Sequence, residues 1–585
     1  MLQSPDRIRP ISTLTLFVLV LGACGDSSPT ANNTRLSCGS AGVVPLNVLQ
    51  AATIECANGG SIQLTGGGAR YLVVPEFATS NVSNAARGYV LADSDALAAP
   101  IAEIAAAREP LGSIGASDGL ETIHSAGARQ VRFDAALRAA ERAAVATRQW
   151  ERSGPSSESS SARASVGAQP AALPAAGSTR TFHVIRTFNV QNPMFATVNA
   201  TLVFVGSNTL VYIDTLAPPN GFTTTQLNSF GHAIDQTFYT LDVEAFGPPS
   251  DIDANGRVIV LLTPVVNALT PPAQCRTDGF IAGFFFGFDL SSTSASSNHG
   301  EIYYGLVPDP NGTVSCAHSV ASVESIAPST FLHEVQHMIS YSQHVVVHGG
   351  AAEEGWLDEG LSIVAQELGS LYYEHKFPPP SGRTNPNQLL PDSAEPFIAD
   401  QFVQSFIYLE KPDTTTLTLH SDADGGLTWR AGDWLFARWL GDQQGSSLYK
   451  RLEQSTLTGT ANIAAAGGEP FQSLFGDFGL ALWTDSIPGV PKSLIPQRDK
   501  FTTRTLRTIF QAVFDAGGVG GAGPFPISAR TLTGKITSSM VPGTVSYFQL
   551  FTSPSVATTT MHFAPSSGGA FASTLHPQVS VFRLP

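Results

Sequence analysis

Residues 333–337 read His-Glu-Val-Gln-His. On a helix, positions i and i+4 share a face, so His333 and His337 can both turn a ring nitrogen toward one metal ion. Glu334 sits about 100° around the helix from His333. It is poorly placed to join the same ligand set, but it can reach a water held beside the metal. That pattern suits metal-assisted hydrolysis with Glu334 as general base. The competing reading is two ordinary histidines on a half-buried helix. The local sequence supports the helix itself. Pro328-Ser329-Thr330 predicts a start with Ser329 as cap, and Gly349-Gly350 predicts a stop. Phe331, Val335, Met338 and Ile339 supply a core face.

A catalytic zinc needs a third protein ligand and one open position. The metzincin pattern would place Gly at 340 and His at 343, where this chain has Ser340 and Gln343. His344 comes one residue late, about 10 Å up the axis from His337 on a continuous helix. The other solution is a carboxylate from a second helix. Residues 353–362, Glu-Glu-Gly-Trp-Leu-Asp-Glu-Gly-Leu-Ser, supply several. Helical spacing runs from Trp356 to Leu368, and the loop around Gly349–Ala352 lets this helix fold back on the first.

The two blocks together, HEVQH and WLDEGLS, resemble the gluzincin metallopeptidases, and most closely the hyicolysin-like family. The resemblance extends to Phe246–Val260 and to Gly300-Glu301-Ile302-Tyr303-Tyr304, and covers roughly residues 182–515. It implies an α+β, zincin-like catalytic domain with a mixed sheet and active-site helices. It implies one catalytic Zn²⁺ on His333, His337 and Glu359, with Glu334 as general base and a polypeptide as substrate. Zinc supplies a water of pKa about 7 and polarises the scissile carbonyl. The amine-binding Gly-x-Met-Glu-Asn block of aminopeptidase relatives is absent from this sequence, which favours endopeptidase action. Relatives often carry a Tyr-Gly pair on a later helix to steady the oxyanion. Here Arg430-Ala431 falls at that place, leaving Arg430 or Tyr408 for the role. Asp251, Asp253 and Asn255 before Gly256 imitate the start of a calcium loop, but its twelfth position is Leu262 where a bidentate glutamate belongs. An Asx-rich turn is therefore favoured over calcium.

The rest of the chain must position and deliver this centre. Its 585 residues predict three or four domains. A net charge of −15 excludes a phosphate-binding face for nucleic acid and a polybasic hold on anionic lipid. Charged residues are only 14%, with 54 Gly and 39 Pro, which points to a loop-rich, β-leaning chain.

Arg7 and Arg9 precede an apolar run, Ile11 to Leu21, of signal-peptide length. It ends in Leu21-Gly22-Ala23-Cys24, which resembles a bacterial lipobox and implies lipid on Cys24. An ordinary signal peptide with a chance cysteine is the alternative. Removing Cys24 leaves four cysteines in an exported chain, and proximity favours Cys38–Cys56 and Cys275–Cys316.

The domains expected are a signal peptide (1–23), a tether (24–37), an N-terminal β module with an Ala/Arg-rich helical segment (38–152), a linker (153–181), the zinc domain (182–515) and a C-terminal β module (524–585). In the helical segment Phe133, Leu137 and Ala140 share a face, and Arg132, Arg138 and Arg142 lie off it. A solvated helical face and a propeptide arm over an acidic cleft both fit that pattern. For the whole chain, the reading is an envelope zinc endopeptidase held by lipid. A surface binding or adhesion lipoprotein on a degenerate peptidase scaffold is the alternative, and a non-peptide hydrolase is a weaker one. Intact His333, Glu334, His337 and Glu359 argue against the binding protein, which has no need of Glu334.

Overall fold

The computed structural model describes residues 34–39, 42–80, 85–96, 118–147, 173–275, 277–291, 296–378, 388–418, 427–517, 519 and 523–585. The signal peptide, Cys24 and most of the 153–181 linker lie outside the described residues. The fold is α+β, as the sequence predicts.

The terminal β regions, which read as two modules, form one sandwich. The N-terminal strands are β1 (Thr34–Ser37), β2 (Ala51–Glu55), β3 (Gly60–Thr65), β4 (Arg70–Phe77) and β5 (Arg87–Asp93). After helix α1 (Asp118–Ala146) come the strands of the central domain, β6 (Thr179–Ile185), β7 (Phe195–Val205), β8 (Thr209–Asp214), β9 (Val258–Leu262), β10 (Gly283–Phe285) and β11 (Ile302–Gly305). The C-terminal strands are β12 (Arg530–Thr531), β13 (Gly534–Met540), β14 (Phe548–Phe551), β15 (Thr558–Pro565) and β16 (Pro577–Leu584). One sandwich sheet has the order β1-β2-β16-β4-β14-β12 and the other β13-β5-β15-β3, so each interleaves strands from both ends of the chain. Local periodicity reveals strands but not distant partners, which is why the sequence showed two modules. Residues 38–152 therefore do not form one detachable unit, because β2–β5 are hydrogen-bonded to β13–β16.

Strand β4 shows how the sandwich joins the central domain. Side chains alternate across a strand, so Tyr71 and Val73 face the sandwich interior while Leu72 and Val74 face the main core. Burial on both faces explains the unbroken apolar run from Tyr71 to Val74. Helix α11 (Phe471–Thr484) covers this outer face, with Tyr547 Oη donating to Gly479 O at 2.7 Å.

The central sheet has the order β10-β11-β9-β8-β7-β6. Strands β8, β9 and β11 are parallel, and β10 pairs antiparallel with β11 as an edge. Around it pack α2 (Thr224–Ala233), α3 (Tyr239–Phe246), α4 (Pro264–Ala268), α5 (Val320–Tyr341), α6 (Gly355–Lys376), α7 (Glu395–Glu410), α8 (Leu427–Gln444), α9 (Ser447–Glu453), α10 (Gly459–Gly467) and α12 (Leu506–Asp515). Helix α5 starts nine residues before the expected cap. Ser319 caps it by accepting from Ser322 N, and Pro328 lies inside the helix rather than at its start. The expected stop is present. A wider turn over Ser342–Val347 follows α5, and Gly349 ends it at φ 66°. The structure joins Cys38 to Cys56 and Cys275 to Cys316.

Candidate metal centre

Helix α5 carries His333, Glu334 and His337, and α6 carries Glu359. The two helices pack side by side, and α6 packs in turn on α8. Gly360 permits that second contact. A Cβ there would stand 2.9 Å from the Asp433 carbonyl oxygen, so only glycine lets the α8 backbone come this close.

His333 Nε2 and His337 Nε2 lie 3.2 Å apart. Glu359 Oε2 is 3.5 Å from the first and 3.8 Å from the second. Three ligands about 2.0–2.2 Å from a tetrahedral centre stand roughly 3.3–3.6 Å from one another. The three side chains are 7%, 1% and 3% exposed, and Glu359 Oε2 has no hydrogen-bond donor. A buried, unpartnered carboxylate oxygen beside two imidazole nitrogens is costly unless a cation sits among them. Zinc fits this donor set.

The outer partners aim the ligands. His333 Nδ1 meets Gln366 Oε1 at 3.2 Å, and His337 Nδ1 lies 3.1 Å from Asp358 Oδ1. Gln366 Oε1 can only accept, so it holds the His333 proton on Nδ1 and turns Nε2 inward, while His337 Nδ1 also has Ser362 Oγ at 3.1 Å. Arg430 Nη2, from α8, donates to Glu359 Oε1 at 2.8 Å. Burial works to raise the Glu359 carboxyl, but the Arg430 guanidinium together with His333 and His337 outweighs it and holds the group well below the usual carboxylate range.

Glu334 is 1% exposed. Its Oε2 accepts from Phe285 N of β10 at 3.0 Å, and Oε1 is without a partner. Burial pushes its carboxyl up to about 8, and the nearby Asp134 carboxylate adds to the rise. Burial pushes the Tyr303 phenol up, and the Glu334 charge adds to the rise.

The other expected residues fall apart from this group or alter their part in it. Arg430 reaches the centre, but through Glu359. Tyr408 packs on Gly432, and burial, with Asp433 adding to it, pushes its phenol up. His344 lies 3.7 Å from both Glu353 and Glu453, away from His333 and His337. Asp251 and Asp253 gather with Glu301 rather than with Leu262. Asp251 Oδ1 accepts from Gly256 N, and Asp253 Oδ1 accepts from Asn255 N, as an Asx-rich turn requires.

Sequence reading missed α1 as part of this centre. Asp134, His333 and Glu334 each offer an atom within 4.8 Å of the others, and Arg430 Nη2 is 3.3 Å from Asp134 Oδ2. The signal was present as a polar stripe, Asp134, Arg138 and Glu141, at helical spacing beside the apolar Phe133–Leu137 face.

No family model matches the chain. A neutral metalloprotease of Staphylococcus hyicus, ShpI, is 28% identical over 172 residues. The matched stretch covers 29% of this chain and 36% of that relative, so the likeness spans about a third of each protein.

Proposed function

We propose that this chain is an exported zinc-dependent endopeptidase of the gluzincin type, acting on polypeptides at the bacterial cell envelope. One observation carries the reading: His333, His337 and Glu359 converge from two helices, with the Glu334 carboxylate beside them. The partial likeness to a neutral metalloprotease supports the same class of substrate.

When bound here, zinc supplies an acidified water and a polarised carbonyl. Glu334 accepts the proton that the attacking water gives up, then passes it to the departing amine. Phe285 N fixes the Glu334 carboxylate for that exchange through its 3.0 Å bond. Arg430 holds Glu359 in place and neutralises part of the carboxylate charge around the centre. The apolar run ending at Cys24 supports export with a lipid anchor, and the Cys38–Cys56 and Cys275–Cys316 pairs suit an oxidising compartment. No helix among the described residues is long and apolar enough to cross a membrane.

Zinc content and casein hydrolysis, measured before and after limited tryptic digestion, test the proposal. The wild-type chain should hold one zinc and digest casein. Glu334→Gln should keep the zinc and lose hydrolysis by a factor of roughly 10²–10⁴. Full hydrolysis by Glu334→Gln would contradict the mechanism. One zinc with no hydrolysis of casein in any preparation would favour a binding protein on the same scaffold.

A further inference from the structure

Helix α1 comes from outside the 182–515 stretch, yet it ends up over the candidate metal centre. Asp134, 1% exposed, places a carboxylate oxygen within 4.8 Å of both a His333 nitrogen and a Glu334 oxygen. That is the side on which an attacking water and a scissile carbonyl must meet. Asp134 is held there twice. Gln130 Nε2 donates to Oδ1 at 2.8 Å, and Arg430 Nη2 donates to Oδ2 at 3.3 Å. The same Arg430 nitrogen serves Glu359, so one guanidinium ties the intruding carboxylate to a candidate ligand.

The rest of α1 lies along β10, the sheet edge. An edge strand presents unpaired N–H and C=O groups that an extended peptide can take. Here side chains of a helix take the groups along β10 and its flanks. Gln130 Oε1 accepts from Ala282 N at 2.7 Å while its Nε2 donates to Gly283 O at 2.8 Å. Arg138 Nη2 donates to Phe285 O at 2.6 Å, and Glu141 Oε1 accepts from Gly287 N at 2.6 Å. A helix backbone is closed on itself, so it can meet a strand edge only with side chains. In this arrangement α1 occupies the strip where a bound peptide would pair.

We propose that α1 is a built-in inhibitory arm and that Asp134 blocks the open side of the zinc centre from beside His333 and Glu334, excluding peptide while α1 is seated. The inference rests on the zinc-peptidase reading. It also divides the N-terminal region by role: β2–β5 are integral to the sandwich, and α1 is the part that must move.

The test uses the full chain, loaded with zinc or with cobalt(II), as wild type, Asp134→Ala and Gln130→Ala. Three quantities are read: metal per chain by atomic spectroscopy, the visible absorption of the cobalt form, and the dissociation constant of a fluorescent peptidyl hydroxamate. If α1 is seated about 99% of the time, the hydroxamate should bind the wild type about a hundredfold more weakly than Asp134→Ala. The cobalt spectrum of Asp134→Ala should differ from wild type before any hydroxamate is added. Gln130→Ala, which keeps Asp134 but loosens α1 from β10, should also strengthen hydroxamate binding, and it covers the case in which Asp134→Ala misfolds. Equal metal content with unchanged spectra and unchanged hydroxamate affinity would overturn the arm while leaving the zinc centre standing. Failure of wild type to bind metal would instead overturn the zinc-peptidase reading, and the arm with it.

Discussion

Asp358 Oδ1 lies 3.1 Å from His337 Nδ1, the ring nitrogen that also meets Ser362 Oγ at 3.1 Å. Neighbouring residues on α6 are thus placed differently: Glu359 faces the centre, and Asp358 sets a carboxylate beside the Nδ1 of a histidine that faces it. Partners of this kind usually contribute 10–100-fold to metal affinity. Asp358→Ala should weaken zinc binding by roughly that factor, and Asp358→Asn, which keeps an acceptor, by less. Competition against a zinc-sensitive chelating dye measures both. Unchanged affinity in Asp358→Ala would show that the contact does not orient the ring.

Arg430 and Tyr408 are separated by a second measurement. Arg430→Ala removes the 2.8 Å donor to Glu359 and should weaken zinc binding by roughly 10–100-fold. Tyr408→Phe should leave zinc affinity unchanged, because Tyr408 packs on Gly432 instead. Equal effects from the two substitutions would contradict this division.

Much of the centre was legible because it is local. His333, Glu334 and His337 sit within five residues of one helix, and the chemistry of their spacing survives any detail of packing. Glu359 was legible only through resemblance, since nothing in spacing alone chooses it over Glu353, Glu354 or Asp358. The link from Arg430 to Glu359 spans 71 positions and joins α8 to α6, so no periodicity could report it. Asp134 was harder still, reaching Arg430 across 296 positions. Two terminal β modules were recognised from local patterns. Their partners were not, because β4 meets β16 only after more than 480 residues of chain have folded between them. The early start of α5 was missed because Pro328 reads as a helix entrance, and only the Ser319 cap shows otherwise.

Gly360→Ala tests the close approach of α6 and α8. Its Cβ would meet the Asp433 carbonyl oxygen at 2.9 Å and carbon at 3.0 Å, and backbone gives way poorly. A cost of about 1–3 kcal/mol is expected in chemical denaturation. Zinc affinity should fall as well, since the next residue along is Glu359. A variant as stable as wild type would mean that the helices part without strain.

Glu76, on β4, predicts a pH-dependent stability. It is wholly buried, with Gln578 donating to Oε2 at 2.7 Å and Oε1 without a partner. Burial pushes its carboxyl from 4.5 up to about 7, against the hydrogen bonds from Gln578 and Ser580. The folded chain therefore holds this proton more tightly than the unfolded chain. The stabilisation is complete below pH 4.5 and is lost as pH rises through 7. Glu76→Gln keeps the acceptor and removes the charge. It should stabilise the fold at pH 8 by up to roughly 3 kcal/mol and make little difference at pH 4. Thermal unfolding at both values decides it, and a loss of stability at pH 8 would contradict the account.

The central claim is that His333, His337 and Glu359 hold one zinc ion. Diffraction from zinc-soaked crystals at the zinc absorption edge tests it most directly. The account predicts one strong anomalous peak within about 2.0–2.2 Å of His333 Nε2, His337 Nε2 and a Glu359 oxygen, with Asp134 beside it in the full chain. A peak elsewhere, or none between these three residues, would contradict it.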